Sequence, residues 1–156
     1  MAPGLVGSIG WDENALGNGQ FIDYTIGSNL IAGTSLSATL TWFRHVDRID
    51  RGEFGVDASD SFFVSQSVSD LDLQILRNGS LVAESTSNVD NVEHLNWNVD
   101  PFAQYTLRVR GMSVFGGSEA FALAWHGAAV PEPATWLLGL AAIVGLGAGR
   151  RRFCGA

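Results

Sequence analysis

Ser35-Leu36-Ser37-Ala38-Thr39-Leu40-Thr41-Trp42-Phe43 puts Leu36, Ala38, Leu40 and Trp42 on one side of an extended chain and Ser35, Ser37, Thr39 and Thr41 on the other. Successive side chains of a strand point to opposite faces, so this stretch reads as a strand with one face in a core and one in water. The same period recurs in Phe21 to Ile26, Leu71 to Leu76, Leu95 to Val99 through Trp97, Tyr105 to Val109 through Leu107, and Phe121 to Trp125 through Leu123. A further strand is expected over Ser61 to Val68. Asn78-Gly79 stands between Leu71–Arg77 and Leu81–Ser85. A two-residue type I′ turn needs positive φ at both positions, which Asn and Gly tolerate, so this pair predicts a hairpin.

Roughly seven to nine short strands with turn residues between them, and no helical period before residue 130, predict an all-β domain over residues 1–129. The expected architecture is an antiparallel β-sandwich of jelly-roll-like topology. The longest polar connection, Arg44 to Asp60, is expected to be a surface loop. Composition agrees, since 46% of the 156 residues are apolar, with five Trp, nine Phe and nineteen Gly. Aromatics and β-branched residues suit strands, and glycine suits the turns between them.

All nine basic residues are arginine, and three of them, Arg150, Arg151 and Arg152, stand together near the C-terminus. The region before Val130 therefore sets six arginines against fifteen carboxylates, a balance of −9. Such a surface repels phosphate backbones, which argues against a nucleic-acid partner. The single cysteine, Cys154, rules out an intrachain disulfide and says nothing about the redox compartment. Residues 1 to 10 carry neither a basic region nor an apolar run of secretory-signal length. The expectation is that the true start lies upstream or that the chain is a piece of a longer protein.

After Gly127 the pattern changes. Val130-Pro131-Glu132-Pro133 is a stiff spacer, residues 134–149 carry no charge, and Arg150 to Arg152 follow. As a helix the uncharged run would extend about 24 Å, short of the roughly 30 Å hydrocarbon layer, and bilayer thinning or arginine snorkelling would close the gap. Leu137, Leu138, Leu140, Ile143, Val144 and Leu146 surround the whole circumference, so a core helix with one polar face is the weaker reading. The prediction is one C-terminal hydrophobic, transmembrane helix in a tail of residues 130–156, with the arginine end in the cytoplasm and the domain across the membrane.

Val-Pro-Glu-Pro-Ala-Thr-Trp, a Leu/Ala/Gly-rich segment and Arg-Arg-Arg, in that order at the chain end, resemble the PEP-CTERM sorting signal. The resemblance implies an exosortase-type partner that recognises Pro131, Glu132 and Pro133. It also implies a precursor held in the inner membrane with Arg150, Arg151 and Arg152 cytoplasmic, then release to the cell envelope or the extracellular polymer. Gly10-Trp11-Asp12, Leu40-Thr41-Trp42, Leu71-Asp72-Leu73, Val89 through His94, Tyr105 through Val109 and Ala122 through Trp125 are similar to jelly-roll accessory domains found before such tails and at the C-termini of some subtilisin-like proteases. That likeness brings no catalytic residue with it.

No nucleophile elbow, zinc-type histidine pair, phosphate-cradling loop or dinucleotide fingerprint is present, although His45, His94 and His126 with many Ser and Asp permit an unsignalled triad. The reading is therefore non-catalytic: a cell-surface or matrix module, the C-terminal part of a larger exported protease or adhesin being one form of it. The alternative is a carbohydrate- or calcium-dependent binding module. No resident cofactor is expected. If calcium binds, the first choice of ligands is Asp47, Asp50, Asp57 and Asp60, whose spacing follows no EF-hand, and a solvated acidic loop is the preferred account of them. Trp11 and Phe54 are the candidate sugar-stacking rings, with Phe43 as a further platform. Trp42, Trp97 and Trp125 fall on apolar strand faces and are expected in the core. Exopolysaccharide is the polymer partner that the tail suggests.

Overall fold

The computed structural model describes residues 4–27, 29–49, 56, 60–64 and 68–129. Within them eleven strands follow in order: β1 (Leu5–Val6), β2 (Ile9–Leu16), β3 (Phe21–Ile26), β4 (Ser35–Trp42), β5 (Val46–Ile49), β6 (Ser61–Val64), β7 (Asp70–Arg77), β8 (Ser80–Ser85), β9 (Val92–Asn98), β10 (Tyr105–Ser113) and β11 (Glu119–Gly127). One sheet has the order β1-β3-β10-β7-β8, a second β2-β11-β4-β9, and β5 pairs with β6 in a separate ribbon. Apart from the parallel pair β1–β3, every pairing is antiparallel. Apart from the β7–β8 hairpin, consecutive strands of the two main sheets alternate between them, so the chain wraps around its own core as a β-sandwich.

The alternation that began the reading decides the packing. Leu36, Ala38, Leu40 and Trp42 are buried, and β4 lies inside its sheet between β11 and β9. Facing them from the other sheet are Tyr24, Leu71, Leu73, Ile75, Leu107 and Val109. Trp42 and Trp125 are in the core, and Trp97 packs against it half-buried. The hairpin turn is as expected: Asn78 and Gly79 have φ of 50° and 80°, and Arg77 pairs with Ser80.

One expectation needs correcting, and one strand went unpredicted. The polar stretch from Arg44 to Asp60 is not loop throughout, because Val46–Ile49 is strand β5, paired residue for residue with β6. Strand β2 carried no apolar period because its inward side holds Gly10, Asp12 and Asn14 before Leu16. Asp12 is acceptable there because the Tyr24 hydroxyl donates to its Oδ2 at 2.9 Å. Gly10 is required by the fold, since a Cβ would stand 2.5 Å from the Trp125 ring. The hydrophobic C-terminal helix expected after residue 130 lies outside the described residues.

Register divides the sandwich into two ends. At one end lie the Asn78-Gly79 turn, the connections Gly27–Ser35 and Val99–Gln104, and Ala129, whose bridge to Leu30 is the last described pairing. At the other lie the β5–β6 ribbon, the β8–β9 connection and the β10–β11 connection. The first is called here the exit end and the second the base.

Candidate functional site

Titratable chemistry gathers at the base, and counting by two explains how it arrives there. Glu119 shares the inward face of β11 with Phe121, Leu123 and Trp125, and is 2% exposed. Its Oε2 accepts Ser69 Oγ at 2.6 Å and lies 3.1 Å from His45 Nε2. Ser69 also accepts the Phe115 N–H, and its carbonyl accepts Trp42 Nε1 at 2.7 Å. Serine, histidine and acid therefore meet in one place, which the sequence permitted without signalling. Their order is that of a structural clasp. A nucleophile–base–acid relay needs the histidine between hydroxyl and carboxylate, whereas here the carboxylate is central and Ser69 is fully buried. The network ties β11, the β10–β11 connection and the segment after β4 around the core.

Glu93 does the same for β9. It is 3% exposed and accepts the Ser85 hydroxyl and the Ser87 N–H, pinning the β8–β9 connection. On the outer side of β7, Asp72 is buried beside a cleft of about 480 Å³ lined by Asp70, Gln74, Glu84 and Arg110. Burial, then repulsion from Asp70, pushes the Asp72 carboxyl up to about 6, against the pull of Arg110. Asp70 is raised too, by burial and by Glu93.

The sign follows from linkage: a carboxyl that holds its proton more tightly when folded stabilises the fold below pH 3.8, and that contribution is lost as pH rises to about 6. Asp72→Asn is accordingly expected to stabilise the domain by about 2 kcal/mol at alkaline pH and by nothing at strongly acid pH. Thermal unfolding at the two extremes checks it, and an equal shift at both would refute the charge account.

Of the four aspartates named as first-choice calcium ligands, only the Asp60 side chain is among the described residues. Asp50 and Asp57 lie outside the described residues, as does the side chain of Asp47, whose backbone pairs with Phe63 in the ribbon. Asp60 stands 3.6 Å from Arg48 Nη1 in an ion pair. Among the described residues no group of three or more His, Cys, Asp or Glu side chains is arranged to hold a metal.

Of the stacking candidates, Phe54 lies outside the described residues. Trp11 projects from the outer face of β2 and is 73% exposed. Its row across the sheet runs Trp11, Ala124, Thr39, His94, with Thr39 Oγ1 2.8 Å from His94 Nδ1. One row nearer the base come Glu13, Ala122 and Thr41, and exposed Phe43 edges an open cleft of about 250 Å³ that these residues help line. Alanines along β11 thus form a low floor between the two rings, a shape on which the apolar face of a sugar can lie.

Residues 129–152 match the PEP-CTERM protein-sorting motif. The chain is thus a β-sandwich followed by a match to the PEP-CTERM motif, which begins at Ala129, where described strand pairing ends. Among the described residues no helix is long and apolar enough to cross a membrane. No curated protein matches the chain. Among solved structures it is similar to the pre-peptidase C-terminal domain of a collagenase from Bacillus anthracis, at 15% identity over 78% of this chain and 91% of that one, with a TM-score of 0.47. It is also similar to part of the insecticidal delta-endotoxin Cry8Ea1 from Bacillus thuringiensis, at 16% identity over 75% of this chain and 20% of that one, with a TM-score of 0.35.

Proposed function

We propose that this protein is an exported, non-catalytic surface or matrix module whose tail delivers it. The sorting motif at residues 129–152 carries the reading. In this account residues 1–129 are the working domain and residues 130–156 are the address. An exosortase-type enzyme reads Pro131, Glu132 and Pro133. The uncharged run anchors the precursor in the inner membrane, and Arg150, Arg151 and Arg152 keep the C-terminus cytoplasmic. Processing then releases the domain to the envelope or the extracellular polymer.

The geometry of the base supports a non-catalytic domain, because in the serine–histidine–acid grouping found among the described residues Ser69 and Glu119 are buried and the carboxylate, not the histidine, stands in the middle. Exopolysaccharide is the partner we assign to the outer face of β2-β11-β4-β9, where Trp11 and Phe43 flank the alanine floor. Pulse-labelled protein in a host that processes such tails should appear first in the inner membrane and then chase to the envelope or medium. A pool that stays soluble in the cytoplasm from the outset would sink the reading.

A further inference from the structure

Phe102 is wholly exposed, at 102% of its reference area, in the turn Asp100-Pro101-Phe102-Ala103. Its φ of 59° is in the left-handed region, where an L side chain is strained and glycine is the usual occupant. Proline followed by a positive-φ residue is the pattern of a type II turn, and such a turn would hold its shape better with glycine at this position. Strain together with full exposure of a large apolar ring marks Phe102 as a candidate contact with something outside the domain.

Its position says what. Gly33 N–H bonds the Val99 carbonyl and Val99 N–H bonds the Thr34 carbonyl, both at 2.8 Å, so the Phe102 turn is tied to the segment after β3. That segment is tied in turn to the chain exit by Ile31 N–H on the Ala128 carbonyl, at 2.8 Å, and by the Leu30–Ala129 bridge. Phe102, half-exposed Ile31 and Ala129 therefore share the exit end.

From Ala129 to the start of the uncharged run at Ala134 there are five Cα steps. Whatever their conformation, they span at most about 18 Å. The headgroup layer is itself roughly 6 Å deep on each side of the hydrocarbon. A precursor anchored by that run must hold the exit end close to the lipid surface, while strands of eight or nine residues carry the base about 30 Å away.

Charge favours the same orientation. Among the described residues of the exit end the one carboxylate is Asp100, and it is paired with Arg77. Asp60, Asp70, Asp72, Glu84, Asp90, Glu93 and Glu119 all lie toward the base. Apolar side chains are exposed at the base as well, Phe43, Val89 and Phe115 among them, but they stand among those acids. An anionic bilayer would repel the base over roughly a Debye length and leave the exit end free to approach.

We infer that in the membrane-anchored precursor the exit end rests on the bilayer with Phe102 inserted into the interfacial layer. This contact holds the domain upright over the bilayer while the precursor awaits processing. The inference rests on the proposed sorting reading.

The test uses the full chain with Cys154→Ser, reconstituted into phosphatidylethanolamine/phosphatidylglycerol vesicles, with an environment-sensitive fluorophore at Phe102→Cys. Val89→Cys, 65% exposed at the base, is the control. Because Phe102 is wholly exposed its replacement should leave the fold intact, which an unchanged thermal transition verifies. Nitroxide-labelled lipid should quench the probe at 102 roughly threefold or more beyond the probe at 89, as expected for sites on opposite sides of the headgroup layer. Equal quenching at both sites in chains that resist alkaline washing would overturn the contact and leave the sorting reading standing. Chains washed off the vesicles altogether would overturn the sorting reading, and this inference with it.

Discussion

Trp42→Ala is expected to lower the unfolding free energy by about 4 kcal/mol, the range for removing a buried aromatic from a core. Trp42 is 4% exposed on an interior strand, so the indole leaves a cavity that its neighbours, held in two hydrogen-bonded sheets, can fill only in part. The loss also reaches the base. Trp42 Nε1 is the donor on the buried Ser69 carbonyl, and Ser69 in turn supplies the hydroxyl that Glu119 accepts. Removing the indole leaves that carbonyl without its partner and loosens the seat of a buried carboxylate. A urea titration followed by far-ultraviolet dichroism measures the change. Trp11→Ala, at a site 73% exposed, should shift the same curve by less than about 0.5 kcal/mol. Similar effects from the two tryptophans would contradict the assignment of inner and outer faces.

Those faces were legible in the sequence wherever apolar and polar residues alternate strictly. Strand β3 spans Phe21–Ile26 as read, and β4 ends one residue short of the stretch that defined it. The Asn78-Gly79 turn was legible because few other dipeptides accept positive φ twice in succession. Strand β2 was hidden for a physical reason. Its inward positions hold a glycine making room for the Trp125 ring and an aspartate satisfied by Tyr24, so no apolar period could appear. The same Asp12 contact adds to burial in pushing the Tyr24 hydroxyl well above the ordinary phenol range.

The base was missed in another way. Glu119 and Glu93 each stand two residues before a residue that was read as inward, Phe121 and Leu95. Extending the alternation by one period would have placed both inside. A buried glutamate needs donors, and those donors, Ser69, Ser85 and the Ser87 N–H, come from elsewhere in the chain, where no local pattern announces them. The tail, by contrast, is readable because its information is linear: a motif, an apolar run and a charge cluster in fixed order.

Replacing Pro131, Glu132 and Pro133 together by alanine is expected to leave the precursor in the inner membrane and cut its release roughly tenfold or more. Losing as little as about 1.4 kcal/mol of recognition by the processing enzyme already gives a factor of ten. The change removes two proline rings and the one acidic side chain of residues 130–156, and it leaves the apolar run and the arginines in place. The domain should be untouched, since the substituted residues follow Ala129, where its described pairing ends. Fractionation with blotting for the domain measures the ratio of membrane-bound to released protein, and release at the normal rate would contradict recognition of the motif.

The most direct measurement of the whole account is C-terminal peptide mass spectrometry on protein recovered from the envelope and medium of a host that processes such tails. Delivery by a removable sorting signal predicts peptides covering the sandwich and none from residues 134–152. Released protein that still carries its C-terminal peptides through Arg152 would contradict it.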